Sequence, residues 1–167
     1  MGVFDLDKSI KKAELRFGSS TRRVRSDRGV SRLDPRLQAE LRRGLQGLER
    51  PDLDDLARTL QDLAARHHLK APSRATIYAF IPRCPPHTYV VEDLPAHVRD
   101  ALYNLDKTAT VPGHQLAFYA FQYGDLRAAS FAAGLPWLDL YQADRLRGWR
   151  TRSHGLLRAA LRRRAIG

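Results

Sequence analysis

The chain has 167 residues, 43% of them hydrophobic, which is enough for one compact domain with a buried core and too apolar for a chain disordered throughout. A single cysteine, Cys84, excludes an internal disulfide and leaves too few thiolates for a zinc finger, and no apolar run approaches the ~20 residues that span a bilayer. The net charge of +11 sits at the two ends: residues 1–32 carry nine Lys/Arg against four Asp/Glu, residues 33–144 carry twelve against fourteen, and residues 145–167 carry eight Arg and no acid.

In chain order, MGVFDLDKSIKKAELRF lacks the apolar stretch of a signal peptide. The lone cysteine suits a reducing compartment, so the expected setting is cytoplasmic and nucleoid-associated. Residues 18–34, GSSTRRVRSDRGVSRLD, mix Gly, Ser and Arg without apolar periodicity. Residues 1–33 therefore read as a flexible basic arm, with Arg22, Arg23, Arg25 and Arg28 as phosphate-binding candidates. A helical body with a winged-helix-like centre is expected over 34–144. Pro35 suits a first helical position, and Leu37, Leu41, Leu45 and Leu48 recur at three- and four-residue spacing, predicting an amphipathic helix. Pro51 ends it and Asp52 caps a second, in which Leu53, Leu56, Ala57, Leu60, Leu63 and Ala64 share a face to about His68.

Ser73 caps a short helix that Pro82 closes. Thr88–Val91 is β-branched and aromatic and predicts a strand, followed by a helix on Leu94, Val98, Ala101, Leu102 and Leu105. Pro112-Gly113 reads as a turn joining Thr110-Val111 to a strand over Leu116–Tyr123, a β-hairpin or wing favoured by aromatic density. Asp125 caps a helix that Gly134 stops, and LPWLDLYQADRL forms another ending near Gly148. In the last segment, 145–167, an Arg-rich helix packs Leu156, Leu157, Ala160 and Leu161 on the body and turns Arg158, Arg162, Arg163 and Arg164 outward. The expected fold class is mainly α with a small β-hairpin, a winged-helix or helix-turn-helix-like bundle with basic arms.

Two segments resemble helix-turn-helix units. In the first, Ala64 and Ala65 precede a short turn and PSRATIY, where Ile77 would anchor the second helix; Ser73, Arg74, Thr76 and Tyr78 are then the base- or backbone-contact candidates. In the second, Ser130, Gly134 and Leu140 stand where such units prefer a small residue, a turn glycine and a buried aliphatic one, and RGWRTRSHGLL resembles the basic turn and final helix of phage-repressor-type domains. Pro136 and Trp137 in its turn, and Asp139 and Asp144 on its second helix, favour packing over groove entry. Arg145, Arg147, Arg150, Arg152, Arg162, Arg163 and Arg164 remain candidates for phosphates. The strip from DALYNL to VPGHQLAFYAF, with PSRATIY, resembles winged-helix regulators of toxin-antitoxin operons, the AbiEi-type antitoxins, which implies a DNA-binding regulator and a toxin-like protein partner.

Chemistry finds little support. The six histidines have no spacing that places two metal ligands with a carboxylate on one helix face, and Cys84 near His87 lies between prolines without an activating helix dipole. Asp52, Asp54 and Asp55 suit a helix N-terminus, and phosphate-cradling and nucleophile-elbow motifs are absent. No cofactor, metal or catalysis is expected. The reading puts duplex DNA first as partner, RNA gripped by its backbone second and a protein partner third, with no membrane and with a homodimer as the habit of such domains. Eight aromatics within residues 118–149 could form a base-stacking platform, but the expectation is that they fill the core.

Overall fold

Helix α1 (Pro35–Leu45) and helix α2 (Leu53–Arg66) form a packed pair in the structure, a computed structural model that describes residues 33–165. The arm residues Arg22, Arg23, Arg25 and Arg28 lie outside the described residues. All the elements below belong to the compact unit Pro35–Gly167. Leu37, Leu41 and Leu45 of α1 are fully buried, and α2 buries Leu56, Ala57, Leu60 and Ala64, as the leucine spacing predicts. The Asp52 carboxylate accepts from the N–H groups of Asp55 and Asp54, and these bonds hold its pKa below the ordinary carboxylate range. Helix α1 stops short of Leu48, which is exposed; instead its carbonyl accepts from the Trp137 N–H at 3.0 Å, tying the pair to the C-terminal half.

Helix α3 (Arg74–Phe80) is capped by Ser73 and anchored by Ile77 and Phe80, then tightens into a 3₁₀ turn at Ile81–Arg83. Strand β1 (Thr88–Val90) pairs antiparallel with β2 (Thr110–Pro112), Tyr89 opposite Val111. Between them the strand expected to reach Val91 gives way to a 3₁₀ turn at Val91–Asp93, and the predicted single helix is divided into helix α4 (Ala96–Arg99) and a 3₁₀ turn at Asp100–Leu102. Its apolar face survives the division, since Leu94, Val98, Ala101 and Leu102 are all buried.

The largest departure from the sequence reading follows β2. Residues 116–123 belong to helix α5 (Gly113–Tyr123), so the strand-and-wing assignment for Leu116–Tyr123 is incorrect, and β2 finds its partner in β1. The reason is tertiary. Leu116, Ala117, Ala120 and Phe121 face the core at helical spacing, and packing against helix α6 (Leu126–Ala133), helix α7 (Trp137–Asp144) and helix α8 (Thr151–Arg164) outweighs the strand preference of the aromatics. The described chain is thus mainly helical with one small two-stranded sheet, and none of its helices is long and apolar enough to cross a membrane.

Helix α7 is the centre of this half. Trp137, Leu138, Asp139, Leu140, Gln142 and Ala143 are buried, which leaves almost no face to enter a groove. Gln142 donates through Nε2 to the carbonyls of Ile81 and Cys84 at 3.2 and 2.8 Å. Asp139 has no exposed side-chain surface and pins the sheet: it accepts from the backbone N–H of His87 and from the Tyr89 hydroxyl, each at 3.2 Å, and pairs with the His87 imidazole. Burial raises the Asp139 pKa, against the lowering influence of His87. Burial together with the Asp139 charge pushes the Tyr89 hydroxyl far up, so it serves as a donor only. Burial lowers the pKa of His114, whose Nδ1 finds no partner among the described residues, so protonation of that ring opposes the fold.

Candidate nucleic-acid interface

The connection from α7 to α8, residues 145–150, and α8 itself carry all eight C-terminal arginines with no acid among them. The connection is held rather than loose. Gln122, a buried polar residue on the otherwise apolar side of α5, donates through Nε2 to the Gly148 carbonyl at 3.0 Å and accepts from the Arg150 N–H at 3.1 Å. Gly148 takes φ +91°, a left-handed conformation that a residue with a Cβ adopts only at a cost. Trp149 turns inward, donates through Nε1 to the Ala143 carbonyl at 3.0 Å and stacks on His154, which in turn pairs with Asp144 at 2.6 Å. Two polar clamps and a half-buried indole therefore fix the backbone from which Arg147, Arg150 and Arg152 project.

The arginines divide by partner. Arg147, Arg152, Arg162 and Arg163 are exposed and meet no carboxylate among the described residues. Arg145 lies over the Tyr141 ring and bonds its hydroxyl, and Arg150 lies 5.5 Å over the Tyr123 ring. Arg158 pairs with Asp144 at 3.2 Å. Arg164 corrects the expectation of an outward phosphate ligand. Its guanidinium bonds Glu49 at 2.6 Å and donates to the carbonyls of Gly134, Leu135 and Ala133, satisfying the C-terminal end of α6. Leu156, expected against the body, is instead 44% exposed.

The other predicted set stands on α3. The Ser73 hydroxyl is occupied in capping, accepting from the Thr76 N–H at 3.2 Å and lying 3.0 Å from the Thr76 hydroxyl. Arg74 is exposed but pairs with Asp54 at 2.5 Å, and Tyr78 is exposed. The link from α2 to α3 runs from His67 to Ser73, with His68 at φ 53°, longer than the short turn the sequence suggests. A cleft of about 400 Å³ brings Arg74 and Tyr78 together with Arg50, Asp52, Asp54 and Arg164. Of the predicted C-terminal arginines Arg164 lines this cleft, so the α3 set stands apart from the other seven, and acids temper its charge.

Sequence reasoning missed Gln122 and Trp149, which do not touch a ligand in this arrangement but set the loop. A glutamine inside LAFYAFQY was the available signal, since an amide on a buried helical face needs a polar partner. No group of histidine, cysteine and acidic residues among the described residues could hold a metal ion. Comparison with family models, curated proteins and solved structures yields no match for this chain.

Proposed function

We propose that this chain binds nucleic acid and takes its grip chiefly on the phosphate backbone, through the arginines of the 145–150 connection and helix α8. One observation carries the reading: of the eight arginines between residues 145 and 164, two, Arg158 and Arg164, meet a carboxylate among the described residues. Like charges this close raise one another's energy, and a phosphate chain relieves that while releasing its condensed counterions. The clamps of Gln122 and Trp149 support the reading too, because cations on a fixed backbone lose less freedom on binding. The test is affinity for duplex DNA and for RNA as salt is raised. The logarithm of the association constant should fall linearly with that of salt, with a slope of about −4 to −5 for some five neutralised phosphates at about 0.9 each on B-form DNA. A flat dependence, or no binding at low salt, would remove the reading.

A second reading makes the chain a DNA-binding transcriptional regulator, with α3 directed at base edges. It is supported by the outward placement of Arg74 and Tyr78 on a short capped helix. Arg74 must leave Asp54 to bond a guanine, an exchange of one charge-assisted pair for another. Arg74→Ala should then lower the ratio of specific to random duplex affinity by about tenfold, within the ~1–3 kcal/mol that one bidentate base contact discriminates. Equal losses on specific and random duplex would show that Arg74 touches only phosphate.

A further inference from the structure

Beside the 145–150 connection lies a run of rings that the core does not absorb. Tyr103, just after the 3₁₀ turn at Asp100–Leu102, is 73% exposed, and Tyr123 at the end of α5 is 44% exposed. Their rings meet edge to face with centroids 6.0 Å apart. Tyr123 continues to Tyr119 at 5.8 Å and to Phe118 at 6.4 Å, and Phe118 closes on Trp149 at 4.7 Å. The half-buried Phe118, Tyr119 and Trp149 form the footing, while Tyr103 and Tyr123 form the open part. Arg150 already covers Tyr123, so a cation and an exposed ring share one spot. The Asn104 amide donates to the Tyr119 hydroxyl at 3.3 Å and ties the residues after the turn to α5.

A ring as open as Tyr103 contributes little to the core and keeps apolar surface in water. A partner that is both planar and anionic answers the rings and the arginines together. Duplex DNA offers the anionic part alone, since its base faces are stacked inside, whereas an unpaired strand offers base faces and phosphates in alternation. We infer that Tyr103 and Tyr123, with Arg150, form a stacking platform for unpaired bases of a single-stranded nucleic acid, and that Arg147 and Arg152 take the flanking phosphates. This rests on the nucleic-acid reading above and adds the form of the nucleic acid.

The test uses the full chain, labelled oligo(dT) and oligo(U) strands, and a duplex of equal length, all at one salt concentration. Tyr103→Ala removes an exposed ring and should leave the melting temperature in place. It should weaken single-strand binding by about tenfold or more, the usual worth of one stacked base, and leave duplex affinity unchanged; Tyr103→Phe should restore the loss. A loss on either strand supports the platform, and the strand held more tightly identifies the sugar it accepts. Unchanged single-strand binding in Tyr103→Ala would overturn the platform while the duplex salt slope still upheld the backbone grip. A loss that Phe does not restore would assign the effect to the hydroxyl and overturn stacking. Self-association that Tyr103→Ala abolishes, with both nucleic-acid affinities unchanged, would make the face a protein contact and overturn the platform as well. Failure of the unaltered chain to bind any strand or duplex would remove both readings at once.

Discussion

Replacing Arg147, Arg152 and Arg163 together with alanine should weaken duplex binding at low salt by about a hundredfold, taking ~1 kcal/mol for each exposed ionic pairing with phosphate. The salt slope should flatten by about 2.7, at about 0.9 for each phosphate no longer neutralised. Their surroundings set these three apart. Each is exposed and without a carboxylate among the described residues, so the fold has nothing to lose with them. Stability should stay within about 0.5 kcal/mol, as for most surface changes. Arg152 and Arg163 stand eleven residues apart on α8, about three turns, and therefore share one line along the helix. Arg164 stays outside the set because its guanidinium closes the end of α6, and a variant there would confound folding with binding. Isothermal titration or anisotropy across a salt series reads both quantities. A slope equal to that of the unaltered chain would place the phosphate-binding groups elsewhere.

Gly113→Ala should destabilise the fold by about 3 kcal/mol or more, enough to lower the melting temperature by roughly 10 °C for a domain of this size. A methyl group at this position would stand on the Asp139 carboxylate. That carboxylate cannot step aside, because it is fully buried and accepts from the His87 N–H and the Tyr89 hydroxyl while pairing with the His87 ring. Moving it would leave a buried charge short of partners, one of the few single changes that cost several kcal/mol. Gly113 is itself held, since its N–H donates to the His87 carbonyl at 2.7 Å. The strand pair, the start of α5 and the centre of α7 therefore meet at one point without slack. Gly155→Ala is the contrasting change. It lies inside α8, a methyl group there meets nothing within 4 Å, and it should stabilise by about 0.5–1 kcal/mol. Thermal unfolding followed by circular dichroism measures both, and a Gly113→Ala melt equal to that of the unaltered chain would disprove the tight packing argued here.

Local order was legible in the residues themselves. The leucines of α1 and α2 recur at helical spacing, and Asp52, Ser73 and Asp125 cap helices because a short polar side chain reaches the free amides beside it without help from the rest of the chain. Strand β1 was legible from its β-branched and aromatic residues, and the charge division that isolates eight arginines at the C-terminal end from composition alone. The exposure of Arg147, Arg152, Arg162 and Arg163 follows from it, since guanidinium groups without nearby acids stay in water.

Partners distant in the chain were decided otherwise. Residues 116–123 carry both a strand preference and a helical apolar face, and only the bodies of α6, α7 and α8 select the helix. An aspartate reads as a surface residue until His87 and Tyr89, some fifty positions away, supply the bonds that let Asp139 be buried. Arg164 looks like its neighbours until Glu49 and the end of α6 capture it, and the sequence reading did not single out Tyr103, whose exposure the packed fold decides. Whatever depends on neighbours within one helical turn, together with the sum and segregation of charge, can be read from the residues in order. Which polar groups are buried and which rings stay open follows from long-range packing, because desolvation depends on everything packed around a group and local spacing does not contain that information.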